Sequence, residues 1–344
     1  MSDHLTEIAL SRILSAIRQV RVGVVGDFNL DAYFYADMTR ASLSRETPLF
    51  NRPVTRETYS LGGAANVAWN LAALGVGEVH AFTVVGQDWR AGLLGELMAQ
   101  QGIHPSGVIG EPGFNTMLFG KVILTNGSLS QEDARLDFTN PAPPALRTIQ
   151  TLMGVLAQQL PHLDALVVAD YLPGGVITSA LHTALIAWAK QYPNVIFVAD
   201  SRERIHRFPG MVLKPNQLEA VQAVLPERSP GPVSSEEIIL SGHSLQVTAG
   251  KPVYLTKAEQ GCLLFEAAGQ IHIPALSQPG PVDPVGAGDT FTAAVAASLA
   301  AGISPVEAGQ VASLAAGVTV RKLHITGTAT PAELIQVLAQ SQPG

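Results

Sequence analysis

Short apolar runs recur along the chain, and most of them lead into a stretch with helical spacing. The runs are VGVVGD (22–27), AFTVVG (81–86), ALVVAD (165–170), VIFVAD (195–200), MVLKPN (211–216) and PVYLTKA (252–258). Strand-like runs alternating with helical segments predict an α/β fold, a mostly parallel sheet with helices on both faces. Several runs end in Asp or Asn, which puts polar side chains at the carboxyl ends of strands, where open α/β sheets bind ligands. Each such residue taken alone is the more ordinary turn former or N-cap.

Two stretches break this rhythm. Residues 32–61 and 113–139 are strand-like and turn-rich without a helical period, and together they predict a small β-sheet projecting from the main body. A β lid over a ligand cleft accounts for both, because lids exclude water and complete a site on closure. At the amino terminus, Leu5, Ile8, Ile13, Leu14 and Ile17 form an approximate apolar stripe, the pattern of an amphipathic helix. ERSPGPVSSEE (227–237) reads as a surface loop. With no internal repeat and no long linker, residues 1–344 are expected to form one domain with its lid.

Composition narrows the function. Of 344 residues 47% are hydrophobic and only 14% charged, with a formal net charge of -7, so a large core is available and the basic face that nucleic acid requires is missing. An anionic small substrate stays open, because a few Arg side chains and backbone N–H groups can build a local positive site. The acidic start lacks a signal-peptide pattern, and the apolar stretch 292–301 is too short to span a bilayer; a cytoplasmic protein with no membrane partner is expected. The single cysteine, Cys262, lies in the apolar run GCLLF and is expected to be a buried core thiol.

The most informative segment is DPVGAGDTFTAAVAASLAAG (283–302). Gly286, Ala287 and Gly288 let the backbone turn tightly and approach a ligand, and the helix that follows turns its first N–H groups towards it. A carboxylate at that helix start, Asp289, holds a phosphate poorly but is well placed to take a proton from a hydroxyl attacking one; as a lone motif it is equally an N-cap. LGGAANVAWNLAALG (61–75) places Gly62 and Gly63 before a small-faced helix ending at Gly75, with Asn66 in the first turn as a cap or as a contact to substrate hydroxyls. LKPNQLEA (213–220) sets Asn216 and Glu219 three residues apart, suited to a metal-bound water or to a capping arrangement. Neither a G-x-x-x-x-G-K-[ST] loop nor a G-x-G-x-x-G turn after a strand occurs, and the histidines show no metal-binding spacing.

Together these segments are similar to the ribokinase-like, phosphofructokinase-B-type carbohydrate kinases over nearly the full length. The carriers are DPVGAGD, GGAANVAWN and, between them, PN-x-x-E. Within that family the chain most resembles the kinase domain of bacterial heptose-7-phosphate kinases, through VGDFNLDAYFY, TRASLSRETP, GGAANVA, RLDF, ADY, TKAEQG and KLHITGT. Those proteins often carry a nucleotidyltransferase domain after the kinase, and that second activity is not expected here.

The resemblance implies a ribokinase-like three-layer sandwich, ATP and Mg²⁺ as cofactors, and a sugar or sugar phosphate as acceptor. It implies Asp289 as base, with the N–H groups of Gly286, Ala287, Gly288 and Asp289 as the anion hole. Sugar hydroxyls would meet Asp31, Gly62, Gly63 and Asn66, while Arg135, Asp137 and Asp170 close the site. Arg40 and Arg135 are candidates for a substrate phosphate. Asn216 and Glu219 would organise magnesium through water, Thr256, Lys257 and Gly261 would line the nucleotide site, and Lys214 would reach its phosphates. Ser313 stands where relatives often have Asn near the adenine, and Pro284 replaces the usual Thr beside a monovalent-cation loop around Asp283 and Val285, so potassium dependence stays open. A homodimer through the lid is expected, since an exposed sheet edge invites a partner. The competing readings are another hexose, pentose or nucleoside kinase, a catalytically silent sugar or nucleotide sensor, which has no need of a base, and a nicotinamide-linked oxidoreductase, which lacks its glycine fingerprint.

Overall fold

The computed structural model describes residues 5–229, 231–276, 280–323 and 326–341. Pro230 of the 227–237 loop, and His324 and Ile325 of KLHITGT, lie outside the described residues. The strands are β1 (Arg21–Gly26), β2 (Phe28–Asp37), β3 (Val54–Gly63), β4 (Glu78–Gly86), β5 (Ile103–Glu111), β6 (Met117–Asn126), β7 (Leu129–Phe138), β8 (Ala165–Asp170), β9 (Ile196–Ser201), β10 (Val212–Leu213), β11 (Val253–Thr256), β12 (Cys262–Glu266) and β13 (Gly269–Ile273). The helices are α1 (Glu7–Ile17), α2 (Ala64–Ala73), α3 (Trp89–Gln100), α4 (Leu146–Gln159), α5 (Ser179–Gln191), α6 (Gln217–Val224), α7 (Ser235–Ala249), α8 (Ala287–Ala300), α9 (Pro305–Thr319) and α10 (Pro331–Ser341).

Nine strands make the main sheet in the order β13-β12-β11-β10-β9-β8-β1-β4-β5. From β5 to β11 every pairing is parallel; β12 and β13 close the edge antiparallel. The central strands are apolar on both faces because helices cover both. Alternate residues divide between two cores: Val22, Val24, Val167 and Ala169 pack with α1, α2, α8 and α9, whereas Val25, Leu166 and Val168 pack with α4, α5 and α7. This is the three-layer sandwich that the alternating pattern predicts. Cys262 is fully buried in the first core, and burial pushes its thiol well above the ordinary range.

The lid is a separate four-stranded sheet, β3-β2-β6-β7. It begins earlier than residue 32, since β2 starts at Phe28, one residue beyond β1, and β3 runs without a break into α2. Asp27 and Gly63 are therefore where the first half of the lid leaves and rejoins the body; the second half joins between β5 and β6 and again after β7. At the amino terminus the apolar stripe is set by Leu10, Ile13, Leu14 and Ile17; Ile8 is 85% exposed and faces water, not the core as the spacing suggests.

Candidate active site

Most helices in the fold start with a side chain that accepts a hydrogen bond from the first turn: Thr6, Asp88, Thr178, Asn216, Ser234 and Ser304 do this. The two that face each other below the lid, α2 and α8, do not. Their N-cap residues are Gly63 (φ 53°) and Gly286 (φ 80°), and neither is capped by a side chain. Both need a backbone that only glycine adopts without strain. The uncapped start of α8 carries the positive end of its dipole towards the cavity.

Asp289 sits in the first turn of α8 and is held from two sides. Asn66 Nδ2 donates to its Oδ2 at 2.7 Å, and the Tyr171 hydroxyl lies 3.1 Å from its Oδ1. Burial raises its carboxyl to about 6, against the opposing pull of the Asn66 hydrogen bond. That value suits a general base working near neutrality. Asn66 itself, expected at the substrate hydroxyls, is fully buried; its Oδ1 accepts from Asn70 Nδ2 at 3.1 Å, so it holds the Asp289 carboxyl from behind.

Behind Asp289 lies a second acid. Asp200 Oδ2 accepts from Lys214 Nζ at 2.7 Å and from Thr292 Oγ1 at 2.8 Å, and the Tyr171 hydroxyl is 3.1 Å away. Burial pulls the Lys214 ammonium down, but Asp200, Glu219 and Asp289 together hold it above its ordinary value. The ammonium stands 3.4 Å from where a Cβ on Gly288 would project, so the glycine keeps the space beside this fixed positive charge open.

The cavity in front of Asp289 measures about 330 Å³ and is closed above by the lid. Asp31 lines it and accepts from Asn29 Nδ2 at 3.0 Å and from Thr326 Oγ1 at 3.2 Å; burial lifts its carboxyl to about 6. Gly62 and Gly63 make this possible, since a Cβ on Gly62 would lie 2.3 Å from Asp31 Oδ1 and one on Gly63 2.2 Å from Asn29 Oδ1. Across the lid, Arg135 of β7 stands directly opposite Lys121 of β6, and both line the cavity together with Arg202. Like charges in register cost stability unless counter-charges answer them. Glu132 answers Lys121 at 3.1 Å and Asp137 answers Arg135 at 2.7 Å, both from the exposed rim.

Other expected residues fall elsewhere. Arg40 is exposed on a short turn of the lid (Met38–Arg40), away from the cavity lining. Asp170 is buried and engaged by Arg204 and by Ser201 Oγ (2.6 Å), which ties β8 to β9 rather than meeting a ligand. Asn216 and Glu219 form a full capping box on α6, with Asn216 Oδ1 accepting from the Glu219 N–H and Glu219 Oε2 accepting from the Asn216 N–H at 2.7 Å. The Ala287 N–H, one of the expected anion-hole donors, donates to Pro284 O at 3.2 Å. Thr256 bridges Asn216, Lys257 closes a tight turn onto the Gly261 carbonyl (2.7 Å), and Gly261 (φ 86°) packs against the backbone of Ile273 and Ala275. Ser313 Oγ, on α9, is buried with no hydrogen-bond partner among the described residues.

Tyr171, Asp200, Lys121, Arg202, Asn29 and Thr326 were not singled out from the sequence. Asp200 and Tyr171 follow strand-end patterns that the sequence displays, VIFVAD and ADY. The facing of Lys121 and Arg135 depends on strand register, which spacing does not disclose.

A buried carboxylate at the uncapped start of a glycine-framed helix, a fixed lysine beside it and a polar cavity in front form an arrangement of the kind a phosphotransferase with a small polar acceptor uses. Residues 21–332 match the pfkB family carbohydrate kinase, and the chain belongs to that family. It is 32% identical over 323 residues to "Bifunctional protein HldE" of Geobacter metallireducens and 33% identical over 326 residues to the protein of the same name from Trichlorobacter lovleyi. Each match takes in 92% of this chain but only 63% and 62% of those proteins, so the chain spans less than two thirds of their length. Among solved structures, phosphofructokinase-2 from Escherichia coli in complex with potassium superposes with a TM-score of 0.70 at 18% identity, covering 94% of this chain and 99% of that one. Arabidopsis thaliana ribokinase complexed with ribose and ATP gives 0.68 at 19%, covering 93% and 98%. These two likenesses establish the fold, ribokinase-like as the motifs imply. No helix among the described residues is long and apolar enough to cross a membrane.

Proposed function

We propose that the chain transfers the γ-phosphoryl group of ATP to a hydroxyl of a sugar phosphate, with heptose 7-phosphate as the acceptor to test first and its anomeric hydroxyl as the nucleophile. The observation that carries this reading is the shape of the acceptor cavity. Asp289 and Asp31 supply carboxylates for hydroxyl groups, while Lys121, Arg135 and Arg202 supply cations suited to an anionic end. A neutral sugar would leave Lys121 and Arg135 with only their rim partners, Glu132 and Asp137. The relatives named HldE, and the heptose-7-phosphate kinase patterns in the sequence, agree with this acceptor.

In the mechanism the lid holds the acceptor away from bulk water and Asp31 fixes its hydroxyls. Asp289 takes the proton of the attacking hydroxyl, and the uncapped amides of α8 with the Lys214 ammonium stabilise negative charge on the moving group. Magnesium, when bound, neutralises charge between the phosphates of the nucleotide. Of Asn216 and Glu219, Glu219 Oε1 is the oxygen outside the capping box that would hold such an ion through water, because magnesium keeps much of its hydration and needs few protein ligands. Thr256, Lys257, Gly261 and Ser313 would line the nucleotide site, and the Ser313 Oγ has no hydrogen-bond partner among the described residues. The protein is expected to act in the cytoplasm, where ATP is supplied, and to pair as a homodimer through the lid, whose outer strands β3 and β7 expose Val54, Leu129, Leu136 and Phe138.

The test is ADP release from ATP and Mg²⁺ with a panel of free sugars, sugar phosphates including heptose 7-phosphate, and nucleosides. Turnover confined to a phosphorylated acceptor supports the reading, and equal turnover with its dephosphorylated form removes the anionic subsite.

A further inference from the structure

The Tyr171 hydroxyl lies 3.1 Å from Asp289 Oδ1 and 3.1 Å from Asp200 Oδ2. A phenol has one proton, so it donates to one of these carboxylates at a time and presents a lone pair to the other. The two acceptors are not equally in need of it. Asp200 Oδ2 already accepts from the Lys214 ammonium and from Thr292, whereas Asp289 Oδ1 has no other donor among the described residues. While Asp289 is ionised, the phenol proton belongs to Asp289.

Once Asp289 has taken a proton the preference reverses. A carboxylic acid on Oδ1 becomes a donor towards the phenol oxygen, and the phenol proton turns to Asp200 Oδ2, which lies 2.7 Å from Lys214 Nζ. Only the O–H bond of Tyr171 rotates, and no heavy atom has to move in a ring that is 8% exposed and packed in the core. No bond to Tyr171 forms or breaks: the acceptor O–H breaks, the Asp289 O–H forms, and that proton leaves to water after the product departs.

We propose that Tyr171 is a positioning residue that supports Asp289 in both of its protonation states, with Asp200 as the second seat for its proton. The inference rests on the reading of Asp289 as the base and deepens it. Beyond Tyr171, the groups facing this pair are Asn66 on α2, Asp200 at the end of β9, Lys214 after β10 and, across the cavity, Asp31 of the lid and Arg202. Of these only Tyr171 touches both carboxylates.

The experiment reads Asp289 directly, so that it does not depend on which acceptor is used. Carboxyl carbon NMR of protein labelled at Asp, assigned with Asp289→Asn, follows the titration of Asp289 in the wild type and in Tyr171→Phe, with thermal melting to show that the variant folds. Tyr171→Phe loses a charge-assisted bond to the carboxylate and a weaker neutral one from the acid, and the difference moves the Asp289 midpoint up by about one pH unit. The acid limb of kcat/KM moves with it, while KM for ATP stays within twofold. Replacing Tyr171 by 3-fluorotyrosine, a stronger donor of nearly the same size, moves the midpoint the other way. An Asp289 midpoint unchanged in both variants overturns the proposal. A midpoint that moves while the panel shows no acceptor upholds it and counts against the sugar phosphate reading alone.

Discussion

Replacing the proposed base with its neutral isostere, Asp289→Asn, is predicted to stabilise the protein while abolishing turnover. Burial lifts the Asp289 carboxyl from an ordinary 3.8 to about 6, so the folded state prefers the neutral form. The stability this protonated carboxyl contributes is complete below 3.8 and is lost as pH rises through 6, because above that pH the fold must keep a charge it would shed. The full rise corresponds to roughly 3 kcal/mol at about 1.4 kcal/mol per pH unit. The side chain is only partly shielded at the cavity wall, and the amide gives up one of the two acceptors that Asn66 and Tyr171 use, so a net gain of roughly 1–2 kcal/mol is expected. Urea unfolding of both proteins between pH 4.5 and 8 measures it. Asp27 and Asp31, also lifted to about 6 by burial, bend both curves alike, so the difference isolates Asp289. The variant should match the wild type at the acid end and exceed it above pH 7. A variant less stable above pH 7, or a difference independent of pH, would refute the argument that this carboxylate is held at a cost.

Two further predictions separate ligand contacts from structural pairs. Lys121→Ala and Arg135→Ala should each raise KM for a phosphorylated acceptor roughly ten- to a hundredfold, the worth of one hydrogen bond to a charged group, with kcat changed less than threefold and the KM of an unphosphorylated sugar unmoved. Arg204→Ala should leave acceptor KM alone yet lower stability by about 3 kcal/mol in thermal or urea unfolding, since it strands the buried Asp170 without its cation. A raised KM at unchanged stability would instead return Asp170 to the acceptor site.

The layering of the fold was legible because its signals are local. Apolar runs such as ALVVAD and VIFVAD need only their own residues to declare buried strands, and they became β8 and β9 nearly residue for residue. The antiparallel edge of β12 and β13 was less visible, since five-residue strands joined by a tight hairpin carry little periodicity. At the site, DPVGAGD and GGAANVA pointed to the two glycine-started helices, α8 and α2, because positive φ and close backbone approach leave glycine few substitutes. What the sequence withheld were roles fixed by long-range contact. Asn66 and Asp289 are 223 residues apart and Tyr171 and Asp289 118, so nothing in the local pattern shows that Asn66 turns inward to hold the base or that Tyr171 stands between two acids. The pairing of Asp170 with Arg204 was hidden in the same way, and a strand-end Asp facing the ligand looks no different in sequence from one facing an arginine.

The proposed function requires Asp289 to take the acceptor's proton. Its most direct test is a single turnover of ATP labelled in the γ-phosphoryl group, with enzyme in excess and saturating heptose 7-phosphate, for the wild type and Asp289→Asn. Rapid label transfer to the sugar by the wild type, and transfer slowed at least a thousandfold in a variant that still binds ATP, is the predicted result. Transfer at an undiminished rate in Asp289→Asn would contradict it.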